Sequence, residues 1–378
     1  MSQASSNISF WEHQTFINHS NFVVIGSGIV GLSTAIHIKQ RNPGKKVTVL
    51  EQGILPTGAS TKNAGFACVG SPSELISDLK NASEEDVFKT VKKRYEGLLL
   101  LRRLLGDDNI DYLSLGSFEL FDEESVDVYE VCMGKLAVLN DSFSKYLAKE
   151  NVFYEDHEIV QRNGFQGFNK AIAHRLEGQI DTGRMMKNLL HLAREKGVEI
   201  LNGIKVNAIH SKSLETNLGV VNFDKCTVCT NGFSKQFFPN EDVEPARAQV
   251  LITKPIEELK IKGIYHFDEG YFYFRNIGNR ILFGGGRNLD FEGENTDKIE
   301  ITDQIVGHLK GVLKEKILPN NAFEIERTWA GIMGVGNVKS PIIKQVEENI
   351  YCAIRLGGMG VAIGSLVGQE LADIIDKS

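Results

Sequence analysis

The residues with the plainest chemistry are Gly26, Gly28 and Gly31 in the run GSGIVG, followed about 20 residues later by Glu51. The first glycine allows a tight turn, the second lets backbone approach a pyrophosphate, and the third lets helix and strand pack closely. Ile29 and Val30 then open a helix whose positive end faces the phosphates. Glu51, with Gln52 after it, can accept hydrogen bonds from both ribose hydroxyls. A carboxylate there favours a 2′-hydroxyl over a 2′-phosphate, so the adenosine belongs to FAD or NAD and not to NADP.

The next segment separates those two. EQGILPTGASTKNAGFA sets small residues and hydroxyls, Gly58, Ala59, Ser60, Thr61, Asn63, Ala64 and Gly65, in what reads as an extended stretch able to run along a long cofactor. Amides and small side chains suit an isoalloxazine, and a nicotinamide site is not expected so soon after the ribose carboxylate. A surface loop is the alternative on composition. The C-terminal run RLGGMGVAIG places Gly357, Gly358 and Gly360 at a helix start, where the dipole can favour the anionic reduced flavin by about 0.3 to 1 kcal/mol. A tight strand-to-helix connection needing positive φ explains the same glycines.

A third constellation is the strand-like YFYFR. Alternation puts Tyr271, Tyr273 and Arg275 on one face and sends Phe272 and Phe274 to the core. Two phenols and a guanidinium could bind a carboxylate or phosphate, though such a face also suits water. Arg247, Arg287, Arg327 and Arg355 are the other candidate anchors.

The elements that must position these groups follow from periodicity. Residues 22–25 read as a buried strand, 30–40 as a helix stopped by Pro43 and Gly44, and 46–50 as a second strand, together a βαβ unit. Helices are expected over 83–105, 129–150, 181–196 and 302–313, with an Asp cap at Asp181. Strands are expected at 113–121, among the glycines of 159–180, and as an antiparallel sheet over 244–288. The first twenty residues read as irregular, with Phe10 and Trp11 tucked onto the body. The fold class is α/β: a Rossmann-like FAD-binding domain (1–80, 181–235 and 322–378) interleaved with a mixed or antiparallel-sheet substrate domain (81–180 and 236–321).

Composition sets the boundaries. The 378 residues carry 42 Lys and Arg against 49 Asp and Glu, a net charge of −7, which argues against nucleic acid or anionic membrane as partner. A small-molecule substrate is the expected partner, and oligomeric state is left open. Five cysteines and no secretory leader pattern point to a reducing, cytoplasmic setting without disulfides. Cys226 and Cys229 spell CxxC on a strand, where residues three apart face opposite ways, so no metal site is expected.

Together these segments resemble the D-amino-acid oxidase superfamily of FAD-dependent oxidoreductases, which includes glycine and sarcosine oxidases. The likeness runs through NFVVIGSGIVGLSTA, ASTKNAG, EGQIDTGRMMKNLLHLAREKGVEI, VCTNGFS, PARAQVL, YFYFR to LFGGG, TWAGIMG and GGMGVAIG. It implies an extended FAD, a sheet-built substrate domain, and hydride transfer from a C–H beside nitrogen, oxidising an amine or amino acid to an imine. A hydroxy-acid or polyol-phosphate dehydrogenase and a non-catalytic electron-transfer subunit are the alternatives. It adds Val206, Thr230, Asn231, Gly232, Gly331, Met359 and Val361 to the cofactor contacts, and Tyr271 and Met333 to the substrate site. Relatives with histidyl-linked flavin carry His where this chain has Asn63. Glycine oxidase-like members carry arginines where it has Met333 and Gly358, and sarcosine oxidases a lysine where it has Leu282. Small α-amino acids such as glycine are therefore expected to be poor substrates.

Overall fold

The structure, a computed structural model, describes residues 7–378. The first six residues of the expected FAD-binding part lie outside the described residues. The βαβ unit forms as its pattern requires: His19–Ile25 and Val47–Glu51 are parallel neighbours joined by the helix Ile29–Arg41. They sit in an eight-stranded sheet ordered Ile342–Glu347, Ile350–Ile354, Gly219–Val228, His19–Ile25, Val47–Glu51, Glu199–Asn202, with a hairpin of Val206–Ile209 and Ser213–Thr216 hung on Gly219–Val228. The inner strands Val47–Glu51 and Ile350–Ile354 are buried along their whole length, as parallel strands covered on both faces must be. Val24 packs into the helix-covered face with Leu98, Met185 and Leu371, while its neighbours Val23 and Ile25 pack on the other face. Gly97 lets the helix Glu84–Leu105 approach Gly360–Lys377 closely, because a Cβ there would run into the Ala362 carbonyl.

The second sheet also has eight strands, ordered Ile325–Val335, Glu244–Thr253, Arg280–Gly285, Phe272–Ile277, Ile264–Phe267, Ser117–Asp122, Phe168–His174, Phe153–Glu155. Its pairs are antiparallel except Ile264–Phe267 with Ser117–Asp122. One face carries an aromatic core with Phe272, Phe274 and Tyr265, covered by Asp303–Val312. The other face turns toward the first sheet. Asp181 caps Thr182–Glu195 by accepting from the Arg184 N–H at 2.8 Å.

Three expectations change. Ile325–Val335, placed above with the FAD-binding part, pairs along its length with Glu244–Thr253 and so belongs to the second sheet. Regular structure precedes residue 21: Phe10–Glu12, with a Ser9 and Glu12 capping box, leads through His13–Ile17 into the first strand. Phe10 and Trp11 are 67% and 74% exposed and contact each other edge to face instead of tucking onto the body. Cys226 and Cys229 do face opposite sides of their sheet, each among apolar side chains. Among the described residues no helix is long and apolar enough to cross a membrane, and no cluster of metal-ligating side chains occurs.

Candidate active site

A cavity of about 710 Å³ runs between the two sheets, from the glycine turn after the first strand to the inner face of the second sheet. At one end the backbone does most of the work. Gly26 adopts φ +101, and a side chain at Gly31 would strike the Gly26 carbonyl, so the turn and the helix close on each other only with glycine at both positions. The Glu51 carboxylate lines this end. It is held in place by the Ser27 N–H and hydroxyl at 3.1 and 2.8 Å and by the Gly53 N–H at 3.0 Å. The N–H of Ile29, in the first turn of the helix, donates to Ser60 Oγ at 3.0 Å.

Residues Ala59–Lys62 form a helical turn, not the extended stretch expected, because their polar side chains bond local backbone. Thr61 Oγ1 donates to the Pro56 carbonyl at 2.5 Å. Asn63 Nδ2 donates to the Ser60 carbonyl at 2.9 Å, while its Oδ1 accepts from Gly65 N–H and Thr182 Oγ1, both at 2.9 Å. Gly357 and Gly358 have φ +56 and +84 and lead into the terminal helix at Gly360, where Ala362 and Ile363 donate to the Met359 carbonyl, both at 3.1 Å, and the N–H groups of Gly360 and Val361 precede the first intrahelical bond.

At the other end side chains dominate. Tyr271, Tyr273, His266, Met333 and Arg287 line the cavity together with Cys68, Glu74, Arg94 and Glu177. Most of its cations are neutralised. Arg94 bonds Glu74 Oε1 at 3.2 Å, Lys339 lies 2.6 Å from Asp78, and Arg355 lies 2.5 Å from Asp242. Arg287 has no acidic partner among the described residues. It donates to Asn295 Oδ1 at 2.6 Å and sits 5.0 Å over the Phe291 ring, which also meets Tyr271 edge to face. Burial lowers its pKa, opposed by Tyr271 and Glu294. Glu177 accepts from the N–H groups of Val69 and Gly70 at 2.6 and 2.9 Å. Burial works to raise its pKa, yet His174, the Gly70 N–H and Ser117 bring it down to about 2. Burial, with Glu177 beside it, pushes the Cys68 thiol well up, so it stays protonated.

Against known proteins, residues 21–374 match the family described as DAO, FAD dependent oxidoreductase. This chain belongs to that family. It is 21% identical over 381 residues to a probable oxidoreductase OrdL of Haemophilus influenzae, spanning 96% of this chain and 84% of that one. It is 22% identical over 351 residues to the sarcosine oxidase subunit beta of Rhizobium meliloti, spanning 88% and 79%. Its fold is similar to the L-proline dehydrogenase from P. horikoshii, with a TM-score of 0.75, 20% identity and coverage of 96% and 94%.

The family's cofactor is FAD, and the cavity suits it. A carboxylate stands where a ribose would need an acceptor, a glycine-lined helix start that meets only the small Ser60 hydroxyl stands where phosphates would pass, and a floor of small residues continues from there. Of the residues expected at the cofactor, Gly26, Gly28, Ile29, Val30, Glu51, Gln52, Ser60, Asn63, Ala64, Val206, Thr230, Asn231, Gly331, Gly357, Gly358, Met359, Gly360 and Val361 line the cavity.

Gly31, Thr61, Gly65 and Gly232 do not line it. Gly31 and Gly232 are packing glycines, against the carbonyls of Gly26 and Met333. Thr61 ties its own turn, and Gly65 lies over the Arg275 guanidinium.

Arg275 itself is the main correction at the substrate end. It shares a face with Tyr271 and Tyr273, but it is 4% exposed beneath Gly65 and does not reach the cavity. Burial lowers its pKa to about 10. Of the other arginines, Arg247 points to the sheet's far face and pairs with buried Glu294 at 2.6 Å, and Arg327 is exposed. His266, Glu177 and Arg94 were not singled out from sequence. His266 had a usable signal, since Tyr265 and Phe267 read as core and strand alternation turns the residue between them inward. Glu177 and Arg94 had none, because they meet the cavity only through tertiary packing.

Proposed function

We propose that this FAD-dependent oxidoreductase oxidises the C–N bond of an amine or amino acid bearing an anionic group, and that Arg287 holds that group beside Tyr271. The observation that carries the reading is the state of Arg287: an arginine without an acidic partner among the described residues in a cavity whose other arginines, Arg94 and Arg355, and Lys339 are paired with acids, the remaining cation Lys62 lying on the turn at the cofactor end. A cation left without a counter-ion in a partly dry site favours an anionic ligand, and the fork of N–H donors suits a carboxylate. The names of the sarcosine oxidase and proline dehydrogenase relatives support a substrate with a C–H beside nitrogen.

In this reading Arg287 and Tyr271 orient the substrate. Tyr273, whose phenol is pushed up to about 12 by burial, presents a neutral wall. Met333 and Gly358 leave the opposite side apolar and uncharged, with a side chain at Gly358 coming 3.4 Å from the Met333 sulfur. Bound flavin supplies the hydride acceptor. The cavity's backbone end and the terminal helix start hold it in place. Because Met333 and Gly358 offer no second cation for a small α-amino acid, larger amino acids are expected to outperform glycine, sarcosine and small D-amino acids.

Anaerobic bleaching of the holoenzyme would test this with a panel of amino acids, N-alkyl amino acids, hydroxy acids and polyol phosphates. Bleaching by amino acids, weakened in Arg287→Ala, is the expected result. Bleaching only by hydroxy acids or polyol phosphates overturns the C–N assignment. Bleaching by no small molecule, with reduction through a partner protein, makes the chain an electron-transfer subunit.

A further inference from the structure

On the cavity-facing side of the second sheet, three polar residues stand in one row across three adjacent strands. Glu119 is in register with His266, and His266 with Tyr273. Side chains in register on one face are direct neighbours. The flanking residues Phe118, Leu120, Tyr265, Phe267, Phe272 and Phe274 all point into the aromatic core on the far side, so the row is the sheet's contribution to the cavity at this point.

The central residue lines the cavity, yet neither of its ring nitrogens makes a hydrogen bond among the described residues, and Nδ1 is the buried one. Two buried carboxylates lie close enough to sense it. Glu119 is 1% exposed and engaged by the N–H and hydroxyl of Ser73, and Glu177 is 1% exposed and engaged by Val69 and Gly70. Both interact electrostatically with the ring.

Neither carboxylate bonds the ring, so the fold does not spend either nitrogen, and with Nδ1 buried it is Nε2 that is able to meet a ligand. An imidazole near buried carboxylates, open to the cavity and unused by the fold, is what a proton acceptor requires. From the structure we infer that His266 accepts the proton that an ammonium substrate must lose before its C–H can leave as hydride, with Glu119 as its positioning residue. This inference rests on the C–N reading above. In the step one substrate N–H bond breaks, one Nε2–H bond forms, and the nitrogen lone pair is freed. No electrons are exchanged with the protein.

The other titratable groups facing the ring have different tasks. His174, whose pKa burial lowers, is boxed in by Phe143 and Phe153. Tyr273 is a neutral phenol, and Arg94, Glu74 and Glu177 are tied to each other or to backbone. Cys68 is held protonated.

The test uses FAD-loaded protein and anaerobic stopped-flow flavin reduction by L-proline and by L-phenylalanine across the neutral to alkaline range. Wild type should show a reduction rate that rises with pH to a plateau through one ionisation. His266→Gln should reduce roughly 100-fold more slowly near neutrality. The deficit should shrink at alkaline pH, where the amine has already lost its proton. Glu119→Gln keeps the imidazole and should move that ionisation to lower pH, a readout independent of whether His266→Gln retains FAD. A wild-type profile in both variants, or a deficit equal at every pH, overturns the role of His266 and leaves the C–N reading standing. Failure of either amine to reduce wild type, when a hydroxy acid does, overturns the reading and the inference together.

Discussion

The two ends of the cavity are built by opposite means. The cofactor end is backbone and glycine, each piece a short local turn or helix start: the turn at Gly26, the helix start at Ile29, the turn at Ala59–Lys62 and the helix start at Gly360. Its charges are Glu51 and, on the turn at Ala59–Lys62, Lys62. The substrate end is side chains, brought from at least five strands and two helices, and it is dense in buried ions: Arg94 with Glu74, Arg355 with Asp242, and Glu177 among its amides. A site made of backbone tolerates no added atoms. One made of paired charges tolerates no removed ones, because the abandoned partner is left buried and alone.

Adding atoms at the cofactor end should have the largest effect. Gly31→Val would drive a branched side chain into the Gly26 carbonyl, and Gly28→Val would put a Cβ 2.9 Å from Ser60 Oγ. Both are expected to give colourless protein with a lowered melting temperature for Gly31→Val, read by FAD release and thermal unfolding. Full flavin occupancy in both would show that this end is not the backbone cradle described.

Next in size is the removal of a buried charge at the other end. The Glu177 pKa is depressed from 4.5 to about 2 in the fold, so its contribution is fully present above the unfolded value and is lost as pH falls through the folded one. By linkage that amounts to about 3 kcal/mol. Urea unfolding of Glu177→Gln should show a deficit of that order at neutral pH which narrows as acid is added below about pH 4. A deficit independent of pH would mean that lost packing, not charge, explains it.

A smaller effect separates the two arginines. Arg287→Ala should weaken reduction by carboxylate-bearing substrates roughly 10- to 100-fold, the worth of a charge-assisted hydrogen bond, with FAD binding intact. Arg275→Met should leave substrate affinity unchanged, because that guanidinium is sealed beneath Gly65. The reverse ranking in a KM series would return the anchor to the YFYFR face.

The βαβ unit, the Glu51 partner, the Asp181 cap, the inward turn of Phe272 and Phe274 and the FAD assignment were all legible in the sequence. Each depends on residues a few positions apart, or on an alternation that backbone geometry enforces. Membership in the family was legible for the same reason, through the order of such local signals along nearly the whole chain. Tertiary structure decided everything that needed two distant segments to meet. Strand alternation could place Arg275 on the correct face but could not reveal that the segment around Gly65 would cover it. Arg287 was one of four equivalent alternatives until Glu294 claimed Arg247, Asp242 claimed Arg355 and exposure removed Arg327. Alternation could turn His266 inward, but only the pairing of strands far apart in the chain set Glu119 beside it. Local spacing constrains backbone, whereas the state of a charge depends on which partner the fold brings within a few ångströms, and that partner has no fixed distance in sequence.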